Sequence, residues 1–153
     1  MSKATNRPLW RCSKCGRGFA NRNQSHACGR YSLEPHFAGK PPEIRQIYDR
    51  FLAALRDIGP VTVLPERTRI AFQVRMSFAQ LTPRRGWVDG HLVLAAPVKS
   101  RVFRRVESFS RHNHLHAFRL SRPGDVNKEL CRWLREAYAV GGQKHLTRSR
   151  QAD

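Results

Sequence analysis

Cys12 and Cys15, followed by His26 and Cys28, have the types and the spacing to hold one metal ion. A C-x2-C pair followed by glycine brings two thiolates together, because Gly16 can take the positive φ that turns backbone N–H groups toward the sulfurs. His26 and Cys28 add two more soft or borderline ligands, completing a four-coordinate set suited to Zn2+ without His36 or Cys131. Redox C-x2-C pairs head a helix in a βαβ unit, and no such pattern surrounds this one. A segment of about thirty residues buries too little apolar surface to fold unaided, and zinc ligation supplies on the order of 10 kcal/mol. Trp10 and Phe19 are the apolar residues available to pack around it. His26 and Cys28 stand two apart, which on a helix would aim them about 200° away from each other. They belong instead on an extended or turning segment, which removes the groove-reading helix of a C2H2 finger.

The second chemistry is electrostatic. The 153 residues carry 29 Lys+Arg against 11 Asp+Glu, a formal charge of +18. Such a charge attracts polyanions, and nucleic acid is the commonest, since each neutralised phosphate releases a counterion. Arginine outnumbers lysine 23 to 6, which a GC-rich genome would also produce. Residues 1–30 hold seven basic residues and no acid. Within them Arg17, Arg22, Asn23 and Arg30 are candidates for phosphate and base-edge contacts. The polar run 21–25 reads equally well as a solvated loop whose amides bond the cysteine sulfurs. Further along, Arg84, Arg85, Arg101, Arg104 and Arg105 are candidates for a basic rim. On a strand Arg101 and Arg105 point one way and Arg104 the other. Trp87 and Phe103, interleaved with them, read as inward-packed aromatics rather than stacking platforms.

His112, His114 and His116 share one face if the segment is a strand, neighbours about 6.5–7 Å apart. A metal pair, a phosphate or pH-sensitive strip, and a plain solvent-facing strand are all open, the last being favoured. No G-x-S-x-G, P-loop, dinucleotide fingerprint or H-E-x-x-H occurs, and Glu66, Asp89 and Glu107 show no paired spacing. The pattern points away from an enzyme.

These residues need elements to position them. Pro41-Pro42 open a helix whose stripe is Ile44, Ile47, Tyr48, Phe51, Leu52, Leu55 and Ile58, stopped at Gly59-Pro60. From residue 61 to 121 the period falls to two: 70–79, 87–96, 102–109 and 114–120 read as strands of an antiparallel meander. Asp125 is the expected N-cap of a second helix with Val126, Leu130, Trp133, Leu134 and Ala137 inward, ended by Gly141-Gly142. The expected fold is α+β: a four- to five-stranded antiparallel sheet with two helices on one face, plus a small N-terminal zinc module. Its divisions are a zinc-binding module 1–32, an α+β domain 33–142 and a loose basic tail 143–153. No apolar run approaches the about 20 residues of a membrane helix, and the N-terminus shows no signal peptide, so the expected location is the cytoplasm.

The stretch Trp10-x-Cys12-x-x-Cys15-Gly-Arg-x-Phe19-Ala-Asn-Arg-Asn-Gln-x-His26-x-Cys28-Gly resembles the N-terminal segment of an uncharacterised bacterial family, domain of unknown function 5655. His36-Phe37-x-Gly-Lys, Thr68-Arg-Ile-Ala-Phe72 and Glu136-Ala-Tyr-x-Val-Gly141 extend the resemblance over about residues 8–142. It implies a cytoplasmic bacterial protein with a small α+β domain, and it implies no activity. The sheet also resembles small bacterial domains of TBP-like or frataxin-like layout, which confers no function.

The expected function is therefore that of a zinc-containing, non-catalytic protein binding DNA or RNA, with no membrane association. The alternatives are a ligand-binding or catalytic α+β domain with a purely structural zinc module, or an adaptor for an acidic protein partner. Elemental analysis of the purified protein should return about one zinc per chain. Cys28→Ser should reduce it sharply and Cys131→Ser should not; an equal reduction in both would sink the ligand assignment.

Overall fold

The computed structural model describes residues 8–23 and 31–144. His26, Cys28, Arg30 and residues 145–153 of the expected tail lie outside them.

A short hairpin comes first, β1 (Trp10–Arg11) with β2 (Gly18–Phe19), Trp10 opposite Phe19. Then follow α1 (Pro42–Ile58), β3 (Thr62–Pro65), β4 (Ile70–Gln73), β5 (Ser77–Pro83), β6 (Val88–Leu94), β7 (Arg105–Ser110), β8 (Asn113–Leu120) and α2 (Lys128–Gly141). The last six strands form one antiparallel sheet in the order β3-β4-β5-β6-β8-β7. The α+β class stands, with six strands in the main sheet where the pattern suggests four or five. The apparent single strand 70–79 is two, because the chain reverses at residues 74–76. The backbone N–H groups of Arg75 and Met76 donate to the carbonyl of Gly141 at 2.9 and 3.0 Å, tying that reversal to the end of α2. Alternation alone cannot show a reversal whose turn keeps the rhythm.

The meander also fails at its far edge. β8 lies between β6 and β7, so residues 95–104 cross from β6 to the outer strand over the helix side of the sheet. The second helix starts later than the sequence suggests. Asn127 is its N-cap, its side-chain oxygen accepting the Leu130 N–H at 3.0 Å. Asp125 belongs to the turn before, where its Oδ2 accepts the N–H groups of Ser121 and Arg122.

One core joins both helices to one face of the sheet. From α1 come Ile44, Ile47, Tyr48, Phe51 and Leu55, and from α2 Leu130, Leu134 and Ala137. They meet Ile70, Phe72, Ala79, Leu81, Val88, Leu92, Phe118 and Leu120, the inward positions of the alternating strands. Phe78 is inward too, because β5 carries an extra residue there: Phe72 pairs with Ala79 but Gln73 with Ser77. At the middle of the sheet Phe118 stacks on Phe51, centroids 6.0 Å apart, and lies across its strand partner Gly90. A β-carbon on Gly90 would fall 2.3 Å from the Phe118 ring. Gly90→Ala should therefore cost about 1–3 kcal/mol or more in denaturant unfolding, the penalty of an overpacked core. Gly86→Ala, whose β-carbon meets nothing within 4 Å, should be close to neutral; equal effects would show that Phe118 moves aside freely.

Candidate functional site

The face of the sheet away from the helices follows from the pairing register. One row runs Leu64, Ala71, Gln80, His91, Ala117, Arg105 across all six strands, and a neighbouring row brings Thr82, Asp89 and Arg119 side by side. Two features occupy this outer face.

At the β3–β4 end sits the N-terminal hairpin. The buried Gln73 side chain donates from Nε2 to the carbonyl of Gly18 at 2.6 Å, and Leu64 and Ala71 beside it are buried as well. Leu9, Arg11, Arg17 and Gly18 enclose with Thr62, Leu64 and Gln73 a cavity of about 310 Å3. Between the two short strands the Cys12–Cys15 segment forms a tight turn closed by backbone hydrogen bonds. Gly16 adopts φ +75°, its N–H donates to the Cys12 carbonyl at 2.8 Å, and the Cys12 N–H donates to the Arg17 carbonyl at 3.0 Å. Cys12 is buried and Cys15 half-buried. Phe19 packs behind them, tilted against Trp10 at 6.1 Å, with the Arg17 guanidinium 6.0 Å from its ring centre. Arg22 and Asn23 are exposed at the end of the described hairpin. Among the described residues no three His, Cys, Asp or Glu side chains converge on a possible metal position; the other two expected ligands lie outside them.

At the opposite end, Arg84, Arg104, Arg105 and Arg119 surround a cavity of about 360 Å3 with Thr82, Asp89 and His91. Arg104 and Arg105 line it together, contrary to simple strand alternation. Arg105 is the ladder partner of Ala117, yet the Arg104 N–H also donates to the Ala117 carbonyl at 2.7 Å. Arg104 stands just before the first residue of β7, outside the ladder, so strand alternation does not govern where its side chain goes. Arg101 lies in the turn before this strand and Arg85 in the β5–β6 turn, both exposed and outside the cavity wall.

Asp89 organises the site. Its Oδ1 accepts from Arg119 Nε at 3.0 Å and its Oδ2 from Arg84 Nε at 3.2 Å. Burial alone would raise its pKa, but hydrogen bonds from Arg119, Trp87 and Arg84 outweigh that and hold the carboxyl below the usual range. Trp87 is on the outside, 37% exposed, with the Arg119 guanidinium 4.6 Å over its ring. The inward reading holds for Phe103 and fails for Trp87. Arg105 is oriented in the same manner, its Nε 3.0 Å from Glu107 Oε1. Burial, aided by the charge of Arg105, pushes the His91 pKa down, so the imidazole in this basic wall is neutral at neutral pH.

The histidine strip is a different matter. His114 and His116 are buried on the helix side, correcting the solvent-facing reading. The segment 95–104 that detours around β8 covers them: Val98 N–H donates to His116 Nε2 at 3.0 Å, and the Phe103 ring stands edge-on 4.8 Å from the imidazole. His116 Nδ1–H donates in turn to the His114 carbonyl at 2.8 Å. His114 is held between the Ser108 hydroxyl at 2.7 Å and the Arg111 carbonyl at 3.0 Å. Both rings are structural. His36, also buried, bonds the Glu66 carbonyl through Nε2 at 2.8 Å.

A family profile described as domain of unknown function 5655 matches residues 33–141. The chain belongs to that family. The matched span is the helix–sheet–helix unit of this DUF5655 protein and includes the whole arginine cavity, whereas the cysteine hairpin precedes it. No curated protein and no solved structure gives a match. Among the described residues no helix is long and apolar enough to cross a membrane.

Sequence patterning singles out Arg84, Arg104 and Arg105, though it sets Arg104 on the opposite side from Arg105, and it misses Arg119 and His91 as cavity residues. Parity along β8 finds Arg119 only once Phe118 is known to face the core. The buried His116 generates a test. Burial lowers its pKa, and its Nε2 must remain unprotonated to accept the Val98 N–H. The unfolded chain then binds the proton first, so this stabilisation is complete above the ordinary histidine value of 6.5 and erodes as pH falls below it. Unfolding free energy should rise with pH through that window, and His116→Gln should flatten the slope more than His112→Gln does; identical slopes would place the titration elsewhere.

Proposed function

We propose that this chain is a zinc-containing, non-catalytic nucleic-acid-binding protein whose knuckle and arginine cavity contact phosphates from the same sheet face. The observation that carries the reading is the lining of one cavity by Arg84, Arg104, Arg105 and Arg119, so four guanidinium groups surround one concave site. Guanidinium forks match phosphate oxygens in pairs, and their charge gives an affinity independent of sequence. The hairpin with Arg11 and Arg17 lies on the same face, so a strand crossing β5 at Gln80 and Thr82 would meet basic groups at both ends. Asp89, the carboxylate of the cavity wall, is engaged by two arginines and serves to orient them rather than to abstract protons.

Zinc fits the hairpin. Its two cysteines sit in a turn closed by backbone hydrogen bonds, with Gly16 in the left-handed conformation such a turn requires. Cys12, Cys15, His26 and Cys28 would hold the ion, which would fix the loop 16–28 rather than take part in chemistry. Arg17, Arg22, Asn23 and Arg30 would then add contacts from that loop, and Arg85 and Arg101 from the turns beside the cavity.

Fluorescence anisotropy with mixed-sequence DNA and RNA over a range of salt tests the reading. Affinity should fall linearly in log–log form as salt rises. Replacing Arg84, Arg104 and Arg105 together with Gln should weaken binding similarly for all sequences. The slope should become shallower by at most about 0.9 for each duplex phosphate, or about 0.7 for each single-strand phosphate, no longer neutralised. No binding by the unaltered protein at moderate salt would remove the nucleic-acid reading.

A further inference from the structure

We infer that the arginine cavity is a phosphomonoester site, taking the terminal phosphate of a nucleic-acid strand or of a free nucleotide. The source of that phosphate rests on the nucleic-acid reading; the chemistry of the site rests on its own geometry.

The first support is how the guanidinium groups are held. Arg84 and Arg119 engage Asp89, and Arg105 engages Glu107, in each case through Nε. Those ion pairs occupy one edge of each planar group and leave its terminal Nη atoms to meet another acceptor. Arg104 makes no ion pair among the described residues, and its main-chain bond to Ala117 fixes where its side chain starts. Stacking on Trp87 restrains Arg119 further. Long cationic side chains normally lose rotamer freedom on binding an anion; here the carboxylates and the indole have already taken much of it.

The second support is charge. Four guanidinium groups line the cavity, one carboxylate sits within it and Glu107 neutralises Arg105 from outside, which leaves a surplus of about two positive charges. An internal phosphodiester brings one negative charge. A phosphomonoester brings about −1.5 to −2 and three strong acceptor oxygens, which matches both the surplus and the number of guanidinium groups lining the cavity. Thr82 adds a hydroxyl and His91 an imidazole that can donate one hydrogen bond.

The third is shape. A cavity of about 360 Å3 is the size of a pocket for one small ligand, whereas a groove that tracks a continuous backbone would run on across the sheet.

The test compares oligonucleotides of one sequence bearing a 5′-phosphate, a 3′-phosphate or only hydroxyl ends, alongside a free nucleoside 5′-monophosphate. A phosphorylated end should tighten binding about tenfold or more at fixed salt. The preference should disappear in Arg104→Gln and in Arg119→Gln and persist in Arg50→Gln and Arg56→Gln, which are exposed on α1 on the other side of the sheet. In the unaltered protein the His91 ring resonances should shift on ligand addition and its pKa should rise, a change that a loosely associated polyanion at the hairpin would not produce. Equal affinity for phosphorylated and hydroxyl-ended strands, with no binding of the mononucleotide, overturns the inference and leaves the nucleic-acid reading standing. Binding of the mononucleotide without any strand sustains the site and removes that reading. Binding of neither overturns both.

Discussion

The packing of Phe118 against Gly90 and Phe51 sets which way everything around it faces. Once that ring is committed to the helix side, the two-residue period of a strand leaves no freedom for its neighbours on β8. His114, His116 and Leu120 must go inward with it, and Ala117 and Arg119 must go outward. Pairing with β6 carries the same decision across, sending Asp89 and His91 out beside Arg119. A single slip of register would bury Arg119 and Asp89 and expose Phe118, so the core interaction and the placement of the arginine wall are one constraint.

The position of β8 between β6 and β7 has two consequences of opposite kinds. On the helix side the chain must detour through residues 95–104, and that detour gives the buried histidines their cover and a hydrogen-bond donor. On the outer side the return into β7 brings Arg104, just ahead of the strand, to the Ala117 carbonyl and into the cavity wall. The same segment thus removes two titratable rings from function and supplies a cation to the site.

Asp89 shows how a basic surface becomes a site rather than a diffuse charge. Exposed arginines on separate strands would repel one another and sample many rotamers. A partly buried carboxylate between two of them fixes their planes and is itself kept ionised by them. The cost of burying that charge is met by the hydrogen bonds from Arg119 and Arg84, as buried charges generally require.

The sequence alone determined the elements with the strongest local causes. Both helices are legible, because apolar residues recur at three and four and Gly59-Pro60 and Gly141-Gly142 stop them. The Cys12–Cys15 turn is legible because it needs only Gly16 and backbone bonds within six residues. The breaks at Pro83–Gly86 and Gly59-Pro60 are similarly local. Tertiary structure decided what depends on distant partners. The strand reversal at residues 74–76 is held by Gly141, far along the chain, and so left the alternating pattern intact. Which face of β8 is buried was undecidable from a segment where histidines alternate with leucine and alanine, since either set can line a core. The cavity itself draws on β5, β6, β7 and β8, and its members meet only through strand register and the chain's return into β7. Periodicity reports what a residue's own neighbours require, whereas a site built across strands is fixed by hydrogen-bond pairing that no local pattern encodes.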